Sequence, residues 1–234
     1  AQPESGLSLV RALLLAYQSE RAQAQNDKGR AQGLQNAVKA LAALAQSQPD
    51  ARVRAQAAME QARLLIEQSG DSAALTTAIR LLDAQIAGSG QTLEQQAEAL
   101  YLKAETFGRI GQIQAVLPLY AQVIREHPED GPWADMAVAR VVDQSLAGAG
   151  KKLEDRAQAL VLLAEQNRAS LPKLSLGAQN RLGDLYFAAD EWAKAKDAYR
   201  QSIEQARCDA AQGRRELATQ LAAARLALAE ILYR

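Results

Sequence analysis

Apolar residues recur every three or four positions along almost the whole chain, in segments cut apart by glycine, proline and short polar clusters. Wound as α-helices, such segments each carry one apolar stripe, and the breaks between them become turns. Leu7, Val10, Leu14 and Tyr17 share one face of a first helix over about residues 5–25, which Asn26 to Gly29 ends. A second helix is expected over about residues 30–46, stopped before Pro49, and a third over about 50–68, where Asp50 can cap the orphan amides. Ser69-Gly70-Asp71 makes the next turn, and Leu75, Ile79, Leu82 and Ile86 mark a fourth helix.

Gly88 and Gly90 precede a fifth helix over about 93–109, and Gly111 separates it from a sixth over about 112–126. A seventh runs over about 132–146, with Pro132 in the first turn, where its missing donor costs nothing. An eighth covers about 153–168 and is closed by Leu171-Pro172; the ninth, tenth and eleventh cover about 175–188, 191–206 and 213–233. Pro118 falls inside the sixth, where it removes a backbone hydrogen bond, and this predicts a kink or a late start.

Helices three, five, seven and nine begin near 50, 91, 131 and 174, a spacing of about 40 residues within the range of helical repeats. Their short connections force antiparallel neighbours. Each hairpin then buries its apolar face against the next, giving an all-α chain of about eleven helices. Composition agrees, because about a fifth of the residues are alanine, the best helix former. Aromatics supply 4% and β-branched residues are sparse, which leaves little support for a sheet.

Residues 99–128 carry the clearest unit, with Ala104 and Gly111 set among Leu100, Phe107, Leu117, Tyr120 and Ile124. In this segment the order is a small residue, an aromatic three positions later, a glycine turn, a second-helix aromatic at Tyr120 and a closing proline at Pro128. The order returns in Leu182-Gly183, Tyr186, Ala195 and Tyr199, with Arg207 where the closing proline would stand. Both segments, 97–130 and 176–209, resemble the tetratricopeptide repeat. Helices three and four (Ala58, Ala62, Leu65) and helix seven (Ala134, Val138, Val141) keep the spacing without the signature residues. The resemblance implies a right-handed α-α superhelix occupying 1–234 as a single domain, with the helix over 213–233 capping or continuing the stack. The longer period and the phrase AVLPLYAQVIREHPEDGPWADMA are similar to the repeats of bacterial outer-membrane assembly lipoproteins and of the Tol-Pal coordinator. That likeness implies a periplasmic or outer-membrane-associated protein-binding module, with any lipid anchor outside this chain; a cytoplasmic location is the alternative.

An internal echo crosses this period. AGSGQTLEQQAEALYLKAE, starting at Ala87, returns as AGAGKKLEDRAQALVLLAE, starting at Ala147. It marks either shared turn chemistry, a glycine stop before a new helix, or a three-helix unit laid over the hairpins, and it leaves the pairing of helices seven and eight open.

The 27 basic and 27 acidic residues cancel, so no overall field draws nucleic acid or an anionic membrane, and the pairs Lys151-Lys152 and Arg214-Arg215 read as solvated helix surface. No apolar run approaches the roughly 20 residues that span a bilayer. The single cysteine, Cys208, excludes an internal disulfide and a cysteine-based metal site. Ala1-Gln-Pro-Glu resembles the end left by signal-peptide cleavage, and the amphipathic pattern at the other end stops without a breaker, as in a chain that continues.

Nothing in the pattern reads as chemistry. The one histidine, His127, precedes a proline at a helix end, where it suits terminal carbonyls better than a metal or a proton relay. Gly88-Ser89-Gly90 follows no strand, and neither a phosphate loop nor a nucleophile elbow is present. No catalytic, cofactor or metal residue is therefore assigned. In tetratricopeptide proteins, ligands lie along the concave face made by the first helix of each pair. The resemblance places Glu98, Tyr101, Glu105, Asp135, Asn180, Asp184 and Phe187 on that face. The face would be acidic with aromatic patches, which argues against a clamp for a carboxylate terminus. The expected function is a non-catalytic scaffold for a protein or peptide partner; the alternative is a regulatory or substrate-recruiting segment of a larger enzyme.

Overall fold

A computed structural model describes residues 3–24, 26–67, 71–88, 91–129, 131–211 and 217–233. The described residues form eleven α-helices and no strand. They are α1 (Pro3–Gln23), α2 (Asp27–Ser47), α3 (Ala51–Glu67), α4 (Ser72–Ala87), α5 (Leu93–Arg109), α6 (Ile113–Glu126), α7 (Trp133–Gly148), α8 (Leu153–Asn167), α9 (Pro172–Ala188), α10 (Trp192–Ala211) and α11 (Ala218–Tyr233).

The chain divides into two compact units, Ala1–Leu119 and Tyr120–Arg234, and the division falls within α6. Within each unit every pair of consecutive complete helices packs together, and odd-numbered helices also touch: α1 with α3 and α3 with α5 in the first, α7 with α9 and α9 with α11 in the second. This is the packing expected of stacked helical hairpins. Alanine lets the backbones approach, since Ala57, Ala62, Ala78, Ala97, Ala99 and Ala104 of the first unit and Ala134, Ala137, Ala178 and Ala195 of the second are wholly buried. Larger residues fill the layers between, with Leu41 and Leu82 in the first unit and Leu160 and Leu176 in the second fully enclosed, each contributing about 2 kcal/mol by removal from water.

Short polar side chains set several helix starts. Asn26 accepts from the Gly29 N–H at 2.8 Å and so opens α2, where the sequence had it closing α1. Asp50 accepts from the Arg52 N–H at 2.7 Å, in the capping role expected of it. Thr92 and Gln95 form a reciprocal capping box at α5. The echo copy at Lys152 opens α8 with no side-chain cap, so the two copies share a helix start but not its chemistry.

One proline opens a helix instead of closing one, and another gives no late start. Pro172 opens α9 rather than closing the preceding segment, its fixed φ suiting the first helical position. Pro118 does not delay α6, which begins at Ile113 and continues through it to Glu126. The proline lies in the second turn, so the bond forfeited is the one to the Gln114 carbonyl near the helix end. At the other end of the chain, α10 continues to Ala211, past the expected stop at 206. The expected start of the last helix, near residue 213, lies outside the described residues.

The best-matched hairpins close with the same turn. At the end of α5, Gly111 has φ +79°, its N–H reaches the Gly108 carbonyl, and the Gln112 N–H reaches the Phe107 carbonyl at 2.9 Å. At the end of α9, Asp190 has φ +59°, its N–H reaches the Phe187 carbonyl, and the Glu191 N–H reaches the Tyr186 carbonyl at 2.9 Å. Both are Schellman turns, in which one left-handed residue lets the last carbonyls find donors.

Candidate functional site

In the first unit, Glu98 and Tyr101 are buried rather than displayed, at 7% and 4% exposure, and Glu105 is half-buried. Glu98 forms part of a polar seam between α3 and α5. The Arg63 guanidinium donates to Glu98 at 2.7 Å and also to Glu60, while Gln56 donates to Glu60 at 2.8 Å. Burial pushes the Glu98 carboxyl above its ordinary range; Arg63 pulls it down, and Glu60 and Glu94 push it up. Burial also works against the Arg63 charge, but its bonds to Glu98 and Glu60 outweigh this and hold the guanidinium above its usual value. The acidic display expected on α5 is thus, at Glu98, an internal ion pair.

In the second unit, Asp135, Asn180, Asp184 and Phe187 all engage neighbouring side chains or backbone. Asp135 of α7 accepts from Lys173 Nζ at 3.1 Å and from Gln220 Nε2 at 2.6 Å. Asn180 of α9 donates to the Gln220 carbonyl at 2.9 Å and accepts from Ser202 Oγ at 2.6 Å. The start of α11 therefore rests on two positions assigned to the open face. Asp184 is exposed and accepts from the Tyr199 hydroxyl at 2.6 Å; burial first, and this bond second, raise the hydroxyl's pKa. Phe187 meets Trp192 edge to face, with centroids 4.9 Å apart.

Lys173, Ser175, Ser202, Gln205 and Gln220 are among the buried polar residues that sequence reasoning missed. Lys173 Nζ donates to the Pro128 carbonyl at 2.6 Å, and Gln179 donates to Gln205 at 2.9 Å. A polar residue in an amphipathic pattern reads as solvent-facing. Only the placement of Ser202 next to Ile203, three residues after Tyr199 on the apolar stripe of α10, gave a sign of burial.

An apolar groove lies elsewhere in this unit. It has a volume of about 650 Å³ and runs between α10 and α11, with Ile203, Leu228 and Leu232 along it and Arg200, Arg207 and Arg225 at its sides. A shallower depression of about 510 Å³ is lined by Lys151, Arg156 and Arg181, the last of which pairs with Asp143 at 3.6 Å. The second basic pair, Arg214-Arg215, lies outside the described residues. His127 is buried at the end of α6, its backbone N–H on the Val123 carbonyl at 3.0 Å.

Among the described residues, no group of three or more His, Cys, Asp or Glu is placed to hold a metal ion, and no helix is long and apolar enough to cross a membrane. No protein-family model matches the chain, and no curated protein matches it. One solved structure, from the computational design of self-assembling cyclic protein homooligomers, aligns with 98% of this chain and 94% of its own. It is 18% identical with a TM-score of 0.23, a likeness too slight to carry an argument about this chain.

Proposed function

We propose that this chain is a non-catalytic scaffold that binds a protein partner through apolar surface on its stacked helices. The observation that carries the reading is the presence of large apolar side chains left in solvent, among them Leu9 and Leu15 on α1, Leu162 on α8, and Leu226, Leu232 and Tyr233 on α11. Of these, Leu232, 62% exposed, lines the apolar groove between α10 and α11. The paired Schellman turns at Gly111 and Asp190 support a tetratricopeptide-like repeat, and the sequence likeness to envelope repeat proteins supports a periplasmic or outer-membrane-associated setting.

The test is site-specific photo-crosslinking in the native cell, from a photoreactive residue placed in turn at Leu15, Leu162 and Leu232. The scaffold reading expects one position to trap a discrete protein, which then binds the purified full chain in solution. Only self-adducts, or no adduct from any of the three, would overturn it.

A further inference from the structure

We propose that the groove between α10 and α11 receives an acidic amphipathic helix from a protein partner. This rests on the scaffold reading above and assigns its site and the chemistry of its ligand.

The groove has the form of a helix seat. On α10, Arg200, Ile203 and Arg207 fall at i, i+3 and i+7; on α11, Arg225, Leu228 and Leu232 do the same. Each stripe covers about 10 Å of helix axis, which matches two turns of a third helix laid between them. Seating a helix against two others is already the packing of this unit, where α9 rests on α7 and α8, and α11 rests on α9 and α10.

Charge selects the occupant. Three guanidinium groups line the groove against one carboxylate, Glu204, and that carboxylate stands 4.0 Å from Arg207 with both side chains largely in water. A pair so exposed is screened and leaves the groove positive. Arginine stems extend the apolar floor while their heads stay at its edge. A helix with leucines at i, i+3 or i+4, and i+7, flanked by Glu or Asp, fills the floor and meets the arginines in fork-shaped hydrogen bonds. The exposed Leu15 of α1 has Arg11 one turn before it, so that apolar face of a second copy would bring like charge to the groove.

The experiment titrates the full chain with two labelled synthetic peptides of about 18 residues, long enough to hold a helix, with identical leucine stripes and either Glu or Lys at the flanks. The Glu peptide is expected to bind about tenfold or more tightly than the Lys peptide, and to weaken as salt is raised. R200E/R225E should reverse that preference, and Leu228→Asp should abolish binding of both, with circular dichroism checking each fold. The comparison on the parent chain stands alone if a variant does not fold. Equal binding of the two peptides, or none, overturns the proposal. So does a self-associated chain made monomeric by Leu232→Asp, which would make the occupant a second copy, or anionic vesicles competing with the Glu peptide as well as unlabelled peptide does. Failure here alongside a crosslinked partner at Leu15 or Leu162 removes the groove but leaves the scaffold; failure of both removes both.

Discussion

Gly183 of α9 lies so close to Tyr199 of α10 that a Cβ built on the glycine would stand 2.5 Å from ring carbon Cε1. The ring is 2% exposed and its hydroxyl is tied to Asp184, so it cannot swing away. Gly183→Ala should therefore destabilise the chain by roughly 1–2 kcal/mol, overpacking exceeding the gain of about 1 kcal/mol from alanine's helix propensity. Urea unfolding followed by circular dichroism reads this. Adding Tyr199→Leu should make the alanine less costly than in the parent, and equal cost in both backgrounds would refute the contact.

The matched turns predict opposite signs for two substitutions. No atom lies within 4 Å of a Cβ on Gly111, so Gly111→Ala meets only backbone strain at φ +79° and should cost about 1 kcal/mol. Asp190→Gly, at φ +59°, should instead gain about 0.5 kcal/mol. Changes of the same sign in the unfolding midpoint would show that the two turns are not equivalent.

Arg63 separates two nearly buried carboxylates. Its removal should cost about 1–3 kcal/mol at neutral pH, toward the lower end because the guanidinium is 39% exposed and screened. The sign with pH follows from Glu98, whose folded-state pKa is raised. The folded chain then holds a proton that the unfolded chain has released, so stability is lost as pH rises through the interval between the ordinary carboxylate value and the folded one. Without Arg63 that interval extends upward, and Arg63→Ala should recover stability on acidification more than the parent does. A deficit independent of pH would show that packing, not charge, is what Arg63 contributes.

Lys173, 4% exposed, serves the Pro128 carbonyl and Asp135 together. Lys173→Met keeps the stem and removes the ammonium, and should cost about 2–3 kcal/mol by leaving both acceptors short of a donor. Asp135→Asn in that background should restore part of the loss in thermal unfolding. If it restores none, Asp135 is satisfied by Gln220 alone.

The turn at Gly111 was legible because it is local, a glycine between two helices with apolar stripes, whereas its counterpart at Asp190 has no glycine to mark it. The groove positions were less legible. Glu98 and Asp135 read as display because the tetratricopeptide resemblance puts them on the concave face, yet their partners Arg63 and Gln220 stand 35 and 85 residues away. No local period encodes contacts of that separation.

The sequence by itself determined eleven helices and their hairpin turns, since apolar spacing, caps and glycine act over a few residues through backbone geometry and burial of one face. The tertiary structure alone decided which polar residues are buried, where α11 rests, and that arginine and leucine from α10 and α11 share one groove. Periodicity states that a helix face is covered; what covers it depends on the packing of elements far apart in the chain.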